Sequence, residues 1–144
     1  MHGIQIIAKE IVSLMPKLLR GLRAGFIGAP NVTTSQVVIL IRIFEKKTTR
    51  IGALSKEMRV SAPTITGVID RLVRNGYLSR IHDKEDRRAV NVELTSKGKN
   101  LVEQMLSEIH KRWYRILAHL TVEERDSYLR VLKRIVEVLA EENV

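Results

Sequence analysis

Over residues 77–94 the hydrophobic period of this chain changes from helical to extended, and then back to helical. Val90, Val92 and Leu94 alternate with Asn91 and Glu93, the period of a half-buried strand. Tyr77 to His82 predicts a second strand, and Ala89 to Leu94 its partner. Six consecutive charged residues, Asp83 to Arg88, join the two. A hairpin set among helical stretches restricts the fold to a mainly α architecture with a small β-hairpin. The tip also poses a question, because it holds acids and two adjacent arginines and no glycine to ease the turn.

The segments before the hairpin are helical. Ser61 is a good N-cap, and Pro63 falls in the first turn of the helix it opens, where a missing N–H costs nothing. Ile65, Val68, Ile69 and Leu72 form the apolar face of that helix, which runs to about Asn75. Gly76 then ends it as a left-handed cap. Asn75-Gly76 also fits a hairpin turn, but the 3.6-residue pattern before it favours the cap. A short helix over about 52–59, with Leu54 and Met58 inward, precedes a turn at Arg59, Val60 and Ser61. Upstream, Thr33 and Gln36 have capping-box spacing and open a helix over 34–45. That helix is apolar nearly all round (Val37 to Ile41, Ile43, Phe44), which places it at the centre of the domain.

The ends are helical too. Ile4, Ile7, Ile11, Leu14, Met15, Leu18 and Leu22 recur at helical steps. Pro16 inside that pattern is expected to kink the helix or divide it, and GFIGAPN at 25–31 is a break. A long helix over 97–119 carries the stripe Leu101, Met105, Ile109, Trp113, Ile116 and Leu120. Thr121 and Glu124 predict a second capping box. The last helix, 122–141, is expected to bury Leu129, Leu132, Ile135, Val136 and Leu139.

Composition narrows the function. The chain has 144 residues, enough for one domain or one domain with an arm. Hydrophobic residues are 44% and aromatics 4%, so the core must be aliphatic. There is no cysteine, which excludes disulfides and thiolate metal sites and agrees with a cytoplasmic location. Lys9 and Glu10 interrupt the first apolar stretch, so no signal peptide or membrane span is expected. The net charge is +9, concentrated in residues 46–99, which hold 13 Lys/Arg against 6 Asp/Glu. A uniformly solvated basic surface does not predict that focus; a polyanionic partner does.

Helix, turn, helix, strand, charged loop and strand, in that order, make a winged helix-turn-helix. In such a module the N-terminal half of the second helix meets base edges in the major groove, and the wing reaches the neighbouring groove or backbone. The DNA-contacting candidates on that helix are Ser61, Ala62, Pro63, Thr64, Thr66, Gly67, Arg71 and Arg74. Hydroxyls suit close approach to phosphates and their methyls suit thymine, while Arg71 and Arg74 reach phosphates. On the wing, Arg87 and Arg88 suit a narrow minor groove, where the negative potential is enhanced. Asp86 is expected to pair with the Arg88 guanidinium and aim it. The bland alternatives are a capped surface helix and a solvated charged loop.

Residues 33–99 resemble the multiple-antibiotic-resistance regulator (MarR) family of winged-helix transcription factors. The likeness is carried by Leu54, by SAPTITGVIDRLVRNGYLSR (61–80) and by DKEDRRAVNVELTSKG (83–98). Within the last stretch, Asp86, Arg88, Leu94, Thr95 and Gly98 make the wing pattern. The resemblance implies a homodimeric regulator that binds double-stranded DNA at a palindromic operator. Residues 1–32 and 99–144 would be dimerisation helices and 33–98 the DNA-binding lobe. Arg88 would enter the minor groove with Asp86 bracing it. It further implies a small aromatic-anion effector, for which Arg20, Arg23, Arg42 and Trp113 are the lining candidates. Two features depart from the pattern: Arg59 stands where such turns often carry glycine, and Gly67 removes a base contact from the recognition helix.

The dimer also follows from the residues, since the apolar stripes of the terminal helices exceed what one small lobe covers. A two-fold dimer sets two recognition helices about 34 Å apart. His2, His82, His110 and His119 have no metal-ligand spacing, and no nucleotide-binding or nucleophile motif occurs, so neither metal, cofactor nor catalysis is expected. The competing reading is a sequence-neutral architectural protein, which shares the basic middle. A winged helix used for protein contact leaves that charge focus unexplained.

Overall fold

The computed structural model describes residues 3–23, 32–86 and 88–142, with every side chain among them except that of Arg23. The expected break at 25–31 lies outside these residues, as do His2 and Arg87. The elements are α1 (Ile4–Arg23), α2 (Thr34–Lys46), β1 (Thr48–Arg50), α3 (Ile51–Met58), α4 (Ala62–Arg74), β2 (Leu78–His82), β3 (Val90–Leu94), α5 (Ser96–Ala118) and α6 (Val122–Glu142). The chain forms two compact units, 1–107 and 108–144, and α5 runs through the boundary.

The first unit holds the core. Ile39, Leu40 and Ile43 of α2, Leu54 of α3, and Ile65, Ile69 and Leu72 of α4 pack with Tyr77, Leu78, Val92 and Val102. The α2 helix is central, as its apolar perimeter predicts, although Val38 stays exposed. Its start is the expected capping box: the Gln36 N–H donates to Thr33 Oγ1 and the Thr33 N–H to Gln36 Oε1. The expected hairpin is present, but it belongs to a three-stranded antiparallel sheet ordered β1-β3-β2. Thr49 of β1 faces Val92, which on its other side faces Arg80. The sequence does not predict β1, because three residues are too few to display a period. Pro16 does not split α1, which runs unbroken through it.

The α4 helix ends as Gly76 requires. Gly76 has φ +79, its N–H donates to the Val73 carbonyl, and the Tyr77 N–H reaches back to Leu72. This reversal sends the chain directly into β2. Thr95 then closes the hairpin at its base. Its N–H donates to the Tyr77 carbonyl, its hydroxyl donates to the Gly76 carbonyl at 2.6 Å, and the same oxygen caps α5 by accepting the Gly98 N–H. Gly98 has no room for a side chain: a Cβ there would lie 2.1 Å from the Tyr77 oxygen.

In the second unit the Thr121–Glu124 capping box forms as expected. Trp113 and Tyr128 stack with ring centroids 5.8 Å apart, and Arg125 Nε donates to the Leu117 carbonyl. The expectation that α6 buries its stripe is corrected here, for no residue of α6 is buried. The apolar face is present and stays exposed among the described residues. The stripe on α5 is half met: Met105 and its neighbour Val102 are buried, while Ile116 is exposed.

Candidate nucleic-acid interface

Two helices and a hairpin build the interface. The α3 helix closes on Arg59, which takes the left-handed region at φ 52, ψ 41. A non-glycine residue there costs about 1 kcal/mol. The Val60 N–H offsets this by donating to the Ser55 carbonyl, and Ser55 Oγ donates to the Val60 carbonyl at 2.7 Å. Ser61 then caps α4 as expected, accepting the Thr64 N–H, and its hydroxyl shares a 2.7 Å hydrogen bond with that of Thr64. Burial of Ile65, Ile69 and Leu72 turns Ser61, Ala62, Pro63, Thr64, Thr66, Arg71 and Arg74 to the exposed side, with Gly67 half-exposed among them. Arg71 lies back along the helix, its Nε donating to the Gly67 carbonyl.

The question of the acidic tip is answered by the wing backbone. Asp83 Oδ1 accepts the Glu85 N–H and Asp86 Oδ1 accepts the Arg88 N–H, each at 3.0 Å. Two side-chain turns of this kind fold the tip without glycine. The Ala89 N–H returns to the Asp86 carbonyl, and the Asp83 N–H to the Ala89 carbonyl. Asp83 Oδ2 also takes a hydrogen bond from the Arg50 guanidinium, at 3.2 Å, so the tip is tied to the strand that leads into α3. The Glu85 N–H and then Arg50 hold the Asp83 carboxyl below the ordinary aspartate range. The expected contact between Asp86 and the Arg88 guanidinium is therefore corrected: Asp86 shapes the backbone at Arg88. The guanidinium has no carboxylate partner among the described residues.

A groove of about 700 Å³ runs between these parts, lined by Lys56 of α3, Thr66 of α4, Arg80 of β2, and Arg50, Asp86 and Arg88 around the wing. Arg80 is paired with Asp70 across to α4. Lys56, Arg50 and Arg80 were not among the residues singled out from the sequence, where the only sign of them was the charge excess of the middle third. Glu57 braces α3 from behind by pairing with both Arg42 and Lys46 of α2. The Lys46 hydrogen bond, and then the charge of Arg42, hold its carboxyl below the ordinary range.

Of the effector candidates, Arg42 is engaged by Glu45 and Glu57, Arg20 is exposed on α1, and Trp113 lies against Tyr128. The Arg23 side chain is outside the described residues.

The family model described as MarR family matches residues 32–90. A crystal structure of a MepR like protein complexed with pseudoligands is 32% identical, covering 96% of this chain and 97% of that one, with a TM-score of 0.58. The chain belongs to the MarR family. Among curated relatives it is 35% identical, over 71% of its length, to the HTH-type transcriptional repressor YetL of Bacillus subtilis (strain 168). That match spans 62% of YetL, so the chain covers less than two thirds of this relative. A mutant MarR from E. coli, crystallised with operator DNA, is 25% identical with a TM-score of 0.66, covering 90% of this chain and 92% of that one. In the present MarR-family chain, no described helix is long and apolar enough to cross a membrane, and the described residues hold no cluster of three His, Asp or Glu that fits a metal ion.

Proposed function

We propose that this chain is a homodimeric, sequence-specific DNA-binding transcriptional repressor. The α4 helix would enter the major groove, and the wing from Asp83 to Arg88 the adjacent minor groove. The observation that carries the reading is the groove in which Thr66 of α4, Lys56 of α3 and Arg88 of the wing meet. A hydroxyl-bearing helix face and a cation without a carboxylate partner converge there, as a helix-turn-helix lobe on a duplex requires. The DNA-contacting set is Ser61, Ala62, Pro63, Thr64, Thr66, Gly67, Arg71, Arg74, Asp86, Arg87 and Arg88, with Asp86 acting through the wing backbone. The arms 1–32 and 99–144 would supply the dimer interface. The exposed stripes Ile7, Ile11 and Leu18 on α1, and Leu132, Ile135 and Leu139 on α6, support that role. Relief by a small aromatic anion completes the reading: a ligand that binds one lobe spacing better than another shifts the population away from the DNA-competent one.

Selection of binding sites from a random duplex library at physiological salt tests the proposal. An enriched inverted repeat with half-sites about one helical turn apart is the expected result. Retention of duplex without an enriched motif overturns it in favour of sequence-neutral packaging. On the selected site, Arg88→Ala is expected to weaken binding about tenfold where the flank has a narrow minor groove. Unchanged affinity there, measured by fluorescence anisotropy, removes the wing from the account.

A further inference from the structure

Gly67 stands on the side of α4 opposite Ile65, Ile69 and Leu72, at the centre of the outward face. Pro63 lies one turn before it and Arg74 two turns after. Glycine inside a helix weakens it relative to alanine, and nothing within the protein demands glycine here. Its φ is not positive, and a Cβ built on it meets no atom within 4 Å. Gly98 is the contrast, since a Cβ there collides with the protein itself.

The side chains around Gly67 are selective in what they omit. In the major groove guanine is read by Arg or Lys, adenine by Asn or Gln, cytosine by Glu or Asp, and the thymine methyl by small apolar groups. Residues 61–70 contain no Arg, Lys, Asn, Gln or Glu. Their one acid, Asp70, is held by Arg80. The Ser61 and Thr64 hydroxyls are taken up by the helix cap. The first cation of the helix, Arg71, turns back on the Gly67 carbonyl. What the first turns present outward is Ala62, Pro63, Thr66 with its methyl and hydroxyl, and bare backbone at Gly67.

We infer that α4 reads its site through thymine methyl groups, at a closeness that only the missing side chain at Gly67 permits. This rests on α4 being the recognition helix. The selected duplex, resynthesised with deoxyuridine in place of one thymine at a time, loses the C5 methyl and keeps its pairing and minor groove. Affinity is expected to fall about fourfold at each contacted thymine, the worth of one buried methyl. Replacing guanines of the half-site with 7-deazaguanine, which lacks an acceptor that Arg or Lys would use, is expected to leave affinity unchanged. Gly67→Ala is expected to raise Tm by about 3–5 °C and to bind about tenfold more weakly. Deoxyuridine duplexes bound as tightly as the thymine ones, or a Gly67→Ala protein that binds as well as the parent, overturn the inference and leave sequence-specific binding standing. A selection that enriches no motif overturns the regulatory reading, and this inference falls with it.

Discussion

The α2 and α6 helices both carry apolar faces, yet they end in opposite states. Ile39, Leu40 and Ile43 of α2 are at most 2% exposed, because α3, α4 and the sheet close over them. On α6, Leu129, Ile135 and Val136 are 52%, 49% and 59% exposed, and Arg134 pairs locally with Glu137. An apolar stripe thus specifies a face and leaves its partner unspecified. The winged lobe is finished by its own chain; the terminal helices leave apolar surface that water does not favour.

The sharpest way to break the contrast is at the base of the wing. Gly98→Ala drives a methyl into the Tyr77 carbonyl, and a loss of about 3 kcal/mol or more is expected, read as a fall in the denaturant midpoint. On α6, Ile135→Asp should leave the lobe folded and abolish self-association, because it puts a charge into the proposed interface. Sedimentation would register the monomer, and a dimer that survives the change removes α6 from the interface. A smaller effect, of the opposite sign, is expected at Thr49, whose buried hydroxyl has no hydrogen-bond partner among the described residues. Thr49→Val should stabilise the lobe by about 1 kcal/mol, visible as a higher Tm. The smallest effect concerns acid. The Glu57 carboxyl is lowered from its ordinary value of 4.5, so its contribution is present above that pH and is lost as pH falls through the folded value. Glu57→Gln should therefore flatten the decline in stability below about pH 4.5, followed by circular dichroism.

Local signals in the sequence were read well and non-local ones poorly. The Thr33 and Thr121 capping boxes, the Ser61 cap and the Gly76 reversal each depend on residues within a few positions of one another. β1 escaped notice because Thr48, Thr49 and Arg50 become a strand only by pairing with Glu93, Val92 and Asn91. That Arg42 pairs with Glu57 as well as with nearby Glu45 was not legible, because Glu57 lies 15 positions on, across a helix boundary. At the wing, proximity was legible and the donor was not: spacing brought Asp86 near Arg88, but the backbone N–H took the carboxylate. Arg59 behaved as its place in the turn implied, adopting a left-handed conformation without being glycine.

Thr95 has a mechanical consequence. Its few atoms hold the end of α4, the root of the hairpin and the first turn of α5, while Lys97 adds a hydrogen bond to the Asn75 carbonyl and lies over the Tyr77 ring. One hydroxyl therefore serves three elements at once, and a change that frees it would loosen the end of α4, the root of the hairpin and the cap of α5 together.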